Sequence, residues 1–127
     1  MISLRIVTVT AALAVAAAAL VGTPAASANG GNGVKVRGTC TQGSTAKLKL
    51  SRDDAGTEIQ FEVDQNRNAV PWKVTLRRSG VQIVSATVHT RAPSGSFELR
   101  RVSSGAGTIT AVATRASGER CSAQASL

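Results

Sequence analysis

The chain has 127 residues, and its 15 Lys and Arg against 7 Asp and Glu give a formal charge of +8 at pH 7. Two cysteines and one histidine are too few for a closed zinc site, so we expect neither a metal nor a cofactor. Two phenylalanines, one tryptophan and no tyrosine offer no stacking platform, which argues against a nucleic-acid partner.

The first 28 residues have the three-part order of a secretory signal peptide. A positive charge at Arg5 precedes a nearly uninterrupted apolar run over residues 6–21, and Ala26-Ser27-Ala28 is a small-x-small cleavage signal. The apolar run is shorter than the roughly 20 residues that a membrane-spanning helix needs. We therefore expect cleavage after Ala28 and a secreted protein without a membrane span, free outside the cell or associated with its envelope.

The remaining residues, 29–127, have the length of one domain. They keep 14 of the 15 basic residues against all 7 acidic ones, a formal charge of +7. Residues 29–33 (Asn-Gly-Gly-Asn-Gly) are polar and rich in glycine, which predicts a flexible lead-in. Residues 34–127 are then the folded domain, which we expect to be a monomer.

From residue 34 onward, apolar and polar residues alternate with a period of two, which predicts strands with one buried and one wet face. In chain order the apolar sets are Val34, Val36 and Cys40; Ala46, Leu48 and Leu50; Ile59, Phe61 and Val63; Trp72, Val74 and Leu76; Val84, Ala86 and Val88; Phe97 and Leu99; a strand within residues 107–116; and Cys121, Ala123, Ala125 and Leu127. Val81 and Ile83 lie on the opposite parity to Val84, which predicts a bulge or a strand that changes sheets.

Turn-forming residues separate these segments, with hairpins predicted at Ser79-Gly80 and at Ser117-Gly118. Seven or eight short strands without helical periodicity predict an all-β fold, a single antiparallel immunoglobulin-like β-sandwich. Cys40 and Cys121 both fall on apolar faces, so we expect a buried disulfide between the first and last strands. In the chain-entropy model, closing a loop of about 80 residues stabilises the fold by up to roughly 4.5 kcal/mol.

The chain also resembles small exported proteins of high-GC Gram-positive bacteria. The resemblance is carried by the Ala-Ser-Ala signal end, Gly38-Thr39-Cys40, Lys47-Leu48-Lys49-Leu50, Phe61-Glu62-Val63-Asp64, Pro71-Trp72, and the segment Ser-Gly-Ser-Phe-Glu-Leu-Arg-Arg over residues 94–101. It implies a single immunoglobulin-like or fibronectin-III-like sandwich and no established activity. Because Trp72 lies far from Cys40, unlike the tryptophan that follows the first cysteine in true immunoglobulin domains, the resemblance concerns architecture and not function.

Basic side chains are the most informative surface feature. Arginines at or near the ends of predicted strands are the candidate anion-binding residues: Arg77, Arg78, Arg91, Arg100, Arg101 and Arg115. If these ends meet at one pole of the sandwich, they form one patch that can hold an anionic polymer, such as a phosphate-rich cell-wall polymer, by bidentate contacts. The alternative is a dispersed, solvated positive surface whose charges also keep sheet edges from pairing.

Enzymatic activity is not expected. His89 lies on the wet parity of its strand, and the chain has no Gly-x-Ser-x-Gly nucleophile elbow. The alternating carboxylates Glu58, Glu62 and Asp64 are expected to form cross-strand salt bridges with Lys47, Lys49, Lys73 and Arg77. Asp53, Asp54 and Glu58 lack the ligand spacing of an EF-hand loop.

The leading hypothesis is therefore an exported, non-enzymatic sandwich with a binding or structural role. A small-ligand carrier is one alternative, and it requires a deep apolar cleft between the sheets. A protease inhibitor is another, and it requires residues 65–71 to form a rigid, exposed loop.

Overall fold

The structure, a computed structural model, describes residues 27–29 and 33–127. The predicted signal segment through residue 26 and residues 30–32 of the predicted lead-in lie outside the described residues. The strands of the described part are β1 (Ser27–Asn29), β2 (Gly33–Arg37), β3 (Thr39–Cys40), β4 (Thr45–Asp53), β5 (Gly56–Asp64), β6 (Pro71–Arg78), β7 (Val81–His89), β8 (Ser96–Ser103), β9 (Ile109–Thr114) and β10 (Arg120–Ala125).

The strands form two antiparallel sheets that enclose one core. Sheet 1 has the order β1-β2-β4-β5-β8, and sheet 2 has the order β3-β10-β9-β6-β7. This confirms the predicted antiparallel β-sandwich. Eight of the ten strands have five residues or more, as many as expected, and the two short strands, β1 and β3, bring the total to ten.

The strand order is that of an immunoglobulin-like sandwich. The set β4-β5-β8 occupies the places of strands A, B and E, and β10-β9-β6-β7 occupies the places of G, F, C and C′. Strand β2 extends sheet 1 beyond the place of strand A. Of the predicted lead-in, Asn29 and Gly33 lie opposite each other where β1 pairs with β2.

The core consists of the apolar parities that the alternation predicts. Ile59, Phe61 and Val63 of β5 are fully buried, as is Trp72 of β6. The Phe97 ring lies 6.0 Å from the Trp72 ring and 6.3 Å from the Phe61 ring, between centroids. These three aromatic side chains, each burying on the order of 150–250 Å², join the two sheets.

The chain changes sheets at a single residue, Gly38, which lies between β2 of sheet 1 and β3 of sheet 2. A Cβ at this position would lie 2.6 Å from the carbonyl oxygen of Ser122 and 2.9 Å from the Cβ of Ala46. Only glycine permits this approach. The prediction that Val34, Val36 and Cys40 share one strand is therefore wrong, because the strand ends before the glycine and resumes in the other sheet.

Cys40 and Cys121 form the predicted disulfide. They are directly opposed on β3 and β10, with 4.1 Å between their Cα atoms, the close approach of a non-hydrogen-bonded pair. The bridge thus joins neighbouring strands of sheet 2, not the two sheets. Burial is as predicted for Cys121 and wrong for Cys40, which stays partly exposed because β3 is the edge of its sheet.

The predicted change of parity before Val84 is a bulge in the β6–β7 hairpin. Leu76 is paired with Val84 and Arg77 with Gln82, so that Ile83 is the extra residue. Ser79 and Gly80 form the tight turn of this hairpin, both with positive φ, as a type I′ turn requires.

The connections cluster at two ends of the sandwich. Pole 1 holds the β4–β5 hairpin, the β6–β7 hairpin and the β8–β9 connection; pole 2 holds the β5–β6 and β7–β8 connections and the β9–β10 hairpin. The described residues contain no helix with the length and hydropathy needed to cross a bilayer.

Candidate anion-binding surface

The six arginines predicted from the sequence do not lie at one pole. Arg77 and Arg78 end β6 at pole 1, and Arg101 lies near them on β8. Arg91 and Arg115 lie at pole 2, in the β7–β8 connection and just after β9. Arg100 is at the middle of the β5–β8 ladder, opposite Gln60. The expectation that it lies near a strand end is therefore wrong. The fold therefore divides these residues among separate surfaces.

The charge of Arg115 is used inside the protein. Its Nε donates to Oε1 of the fully buried Glu119 at 2.9 Å, and its guanidinium lies 5.6 Å from the centre of the Trp72 ring. Oε2 of Glu119 accepts hydrogen bonds from the backbone N–H groups of Gln42 (2.9 Å) and Ser44 (3.0 Å), and Oε1 accepts one from Ser44 Oγ (2.7 Å). This carboxylate ties the β3–β4 connection to the β9–β10 hairpin.

Burial raises the pKa of Glu119, but the hydrogen bonds from Ser44, Arg115 and Gln42 outweigh it and hold that pKa below its usual value. Glu119 is therefore ionised at neutral pH, and Arg115 is its counter-ion. The predicted hairpin at Ser117-Gly118 is confirmed. The sequence did not predict that this hairpin contains a buried glutamate, Glu119.

Arg100 also has acidic partners. On the outer face of sheet 1 its guanidinium lies 2.9 Å from Glu98 and 3.4 Å from Glu58. In the described part of the chain, none of the lysines expected to bridge these strands forms an ion pair within 4.0 Å. The expected partners of Glu58 were wrong because the β5–β8 register places Arg100 between Glu58 and Glu98.

Arg78 and Arg101 come together at the open side between β7 and β8. Each lies on the inward parity of its strand, where the preceding positions, Leu76 and Leu99, belong to the core. Arg78 Nη1 donates to Ser103 Oγ at 2.6 Å and so joins the two sheets at pole 1. Arg101 is exposed, and the two arginines line one shallow groove.

A second basic surface, not predicted from the sequence, lies on the outer face of sheet 1. Lys35 is directly opposite Lys49, and Arg37 is directly opposite Lys47, on the adjacent strands β2 and β4. We call these four residues the cationic cluster. The row that contains Lys35 and Lys49 continues with Gln60 on β5, whereas the row that contains Arg37 and Lys47 continues with Glu62.

The cationic cluster is a costly arrangement for a sheet, because like charges directly opposite each other destabilise the strand pair. A groove over it is lined by Lys35, Lys47, Lys49 and Gln60, with Glu62 and Glu98 at its far side. The sequence contained a signal for this cluster: Val-Lys-Val-Arg over residues 34–37 and Lys-Leu-Lys-Leu over residues 47–50 both alternate apolar and basic residues, so that each segment puts its basic side chains on the wet face. The passage through β3 hid the fact that these two segments are neighbours.

The other candidate residues have structural explanations. His89 is exposed at the end of β7, on the wet face as predicted. Asp53 Oδ1 accepts a hydrogen bond from the backbone N–H of Ala55 at 2.9 Å, which is the geometry of an Asx turn. The described residues contain no group of three His, Cys, Asp or Glu that could hold a metal ion.

Among the described residues, the geometry thus places four basic side chains on adjacent strands of sheet 1. Comparisons with protein-family models, with curated proteins and with solved structures find no significant match.

Proposed function

We propose that this protein is a non-enzymatic binding domain that holds an anionic polymer on the outer face of sheet 1, at the cationic cluster. The observation that carries the proposal is the direct opposition of Lys35 to Lys49 and of Arg37 to Lys47. A regular strand pair spaces alternate residues by about 6.6 Å along the chain and neighbouring strands by about 4.8 Å. Four cations at these spacings suit a chain of repeated phosphate or carboxylate groups better than a single small anion.

Edge protection explains only half of the cluster. If β1 is lost by cleavage after Ala28, β2 becomes the edge of sheet 1, and the charges of Lys35 and Arg37 protect it from pairing. Strand β4, in contrast, lies between β2 and β5 and has no open edge. Lys47 and Lys49 therefore gain nothing from that role, while they add repulsion to the ladder.

Export, as the leader predicts, supports a phosphate-rich cell-wall polymer as the natural partner. The test uses the purified protein and two probes, purified poly(glycerol phosphate) and inorganic polyphosphate. We expect the triple variant Lys35→Gln/Lys47→Gln/Lys49→Gln to bind about tenfold or more weakly at low salt. We also expect a shallower dependence of affinity on salt, because fewer counterions are released.

The matched control is Lys73→Gln/Arg77→Gln/Arg120→Gln, which removes the same charge from exposed positions of sheet 2. It should retain binding within about twofold if the site is local. Equal losses in the two triple variants would show that only net charge attracts the polymer. A third variant, Arg100→Ala/Arg101→Ala, tests the two adjacent arginines of β8: a loss there with full binding in the lysine variant would move the site to β8.

Two other functions receive less support. A small-ligand carrier needs space between the sheets, but Trp72, Phe61 and Phe97 pack there against one another. A protease inhibitor needs an extended loop, but in residues 65–71 both Asn66 and Ala69 have positive φ, which leaves only two residues between them. An inhibition assay against trypsin-like and subtilisin-like proteases tests the second alternative.

A further inference from the structure

The edge strand β7 differs from the other sheet edges of the described residues. Strands β1 and β3 are edges of only three and two residues, and β8 carries Glu98, Arg100 and Arg101. These are the usual means of keeping an edge from pairing: shortness, charge and an inward-pointing charge. Strand β7 has nine residues, Val-Gln-Ile-Val-Ser-Ala-Thr-Val-His, with no Lys, Arg, Asp, Glu, Pro or Gly.

We propose that β7 is a strand-addition site for an extended, acidic polypeptide segment. Such a segment would lengthen sheet 2 by one strand and would gain main-chain hydrogen bonds along β7. This inference does not depend on the cationic cluster, because the cluster lies on β2 and β4 of sheet 1 whereas β7 is the edge of sheet 2.

The hydrogen-bond phase of β7 identifies the backbone groups that are free to pair. The N–H of Thr90 donates to the carbonyl of Val70 at 3.0 Å. Hydrogen-bonded pairs recur every second residue in an antiparallel ladder, so Val88, Ala86 and Val84 direct their N–H groups toward β6. The N–H and C=O groups of Ser85 and Thr87 therefore point away from the sheet. Ser85 and Thr87 are exposed.

The surroundings of this edge select for acidic residues. At pole 1, Arg78 and Arg101 line the groove beside Ile83, Val84 and Val102. At pole 2, a second groove beside Val88 and Phe97 contains His89 and the exposed Arg91. Glu98 borders that groove, but Arg100 neutralises it at 2.9 Å. An added strand would thus meet apolar side chains along its length and a cation at each end.

A second copy of this chain fits the edge less well. Its β7 has no acidic residue to place beside Arg78, Arg101 or Arg91. Each copy also carries a formal charge of +8, or +7 after cleavage following Ala28, and so repels the other. The uncharged edge is thereby disfavoured for self-pairing while it remains open to an acidic strand.

The test measures binding of a fluorescent, capped octapeptide of alternating valine and glutamate. One control peptide alternates valine with lysine. The other is the glutamate peptide with an N-methyl group on every residue, so that neither of its edges can donate hydrogen bonds to β7. The protein variant is Thr87→Pro, which removes an outward N–H and leaves the β6–β7 hydrogen bonds in place. Its matched control is Thr87→Ser, which keeps that N–H.

We expect the glutamate peptide to bind, the lysine and N-methylated peptides to bind about tenfold or more weakly, and Thr87→Pro to lose a similar factor while Thr87→Ser does not. Arg91→Gln/Arg101→Gln, which leaves the backbone unchanged, should also weaken binding. Equal binding of the N-methylated peptide overturns strand addition even if Thr87→Pro does not fold. Self-association that Thr87→Pro abolishes, measured by sedimentation, overturns the choice of an acidic partner in favour of a second copy.

Discussion

Arg115 and Glu119 face each other across the β9–β10 hairpin, with Arg115 Nε 2.9 Å from Glu119 Oε1. The glutamate side chain is fully buried, whereas the arginine is one-fifth exposed and covers the face of Trp72. The pair therefore joins a core aromatic ring to a carboxylate that also holds the β3–β4 connection. Four hydrogen bonds converge on two oxygen atoms, so this site depends strongly on the charge of Glu119.

Replacing this glutamate is expected to lower stability at neutral pH. Glu119→Gln removes the charge, turns one acceptor oxygen into a donor facing other donors, and leaves Arg115 without its counter-ion. We expect a loss of about 2–4 kcal/mol in the free energy of unfolding, measured by urea denaturation. The control is Glu98→Gln on the exposed Arg100 pair, which should cost less than about 1 kcal/mol. Equal effects would contradict the importance of the buried network.

The lowered pKa of Glu119 also predicts how stability depends on pH. Because the native pKa lies below the unfolded value, the stabilisation is complete above the ordinary carboxyl pKa of about 4.3. It is lost as pH falls through the lower native pKa. Between about pH 5 and pH 3, the wild-type protein should lose more free energy of unfolding than Glu119→Gln. Parallel pH profiles for the two proteins would assign acid sensitivity to other carboxylates.

Removing the disulfide is expected to be costly for a domain of this size. In the chain-entropy model, a bridge with a sequence separation of 81 residues stabilises by at most about 4.5 kcal/mol, out of a typical total of about 5–15 kcal/mol. The Cys40→Ala/Cys121→Ala variant should unfold at a lower urea concentration. It should also show a steeper urea dependence, because the unlinked unfolded chain exposes more surface. An unchanged midpoint would indicate that the β3–β10 pairing holds without the bridge.

Gly38 gives a prediction that separates steric contact from backbone conformation. Gly38→Ala places a Cβ 2.6 Å from the carbonyl oxygen of Ser122, so the two sheets must shift where the chain passes between them. We expect a loss of about 2 kcal/mol or more. Gly43→Ala is the control: it has open space but a φ of +95°, and should cost only about 1 kcal/mol. A smaller loss at Gly38 than at Gly43 would contradict the close approach.

The alternation of apolar residues predicted the faces of the strands, because each strand buries one side against the same core. It also located the Ile83 bulge, since an extra residue changes the parity within one strand. Register between strands is different, because it depends on contacts between distant parts of the chain. Arg100 is paired with Glu58 only because β8 lies beside β5, and the pattern of neither strand reveals that they are neighbours.

The dependence of register on distant contacts also explains why the sequence predicted an arginine patch and missed the cationic cluster. The sequence singled out arginines near turns, but turns at the two poles are far apart once the strands alternate in direction. The sequence pattern placed Gly38 within a continuous strand, because the contact that requires glycine is made by Ser122, more than eighty residues later. The opposition of Lys35 and Lys49 likewise depends on the return of β4 to sheet 1 after the β3 excursion.

A last prediction separates a binding role of the cationic cluster from a structural one, because the two roles have opposite signs. Lys49 is directly opposite Lys35, so Lys49→Gln relieves repulsion and should raise the free energy of unfolding at low salt by about 0.2–0.5 kcal/mol. The gain should disappear near 1 M salt, where the screening length falls to about 3 Å. The control Lys73→Gln, whose cross-strand neighbours are Thr87 and Thr114, should change stability by less.

The same Lys49→Gln protein should bind polyphosphate more weakly, so that stability rises while affinity falls. A residue kept for folding loses stability when it is replaced, whereas a residue kept for binding loses affinity and can gain stability. If Lys49→Gln lowers the free energy of unfolding, Lys49 stabilises the sheet and the cluster is part of the fold. If it raises stability without changing affinity, the polymer binds elsewhere on the molecule, and Arg100 and Arg101 of β8 become the next residues to test.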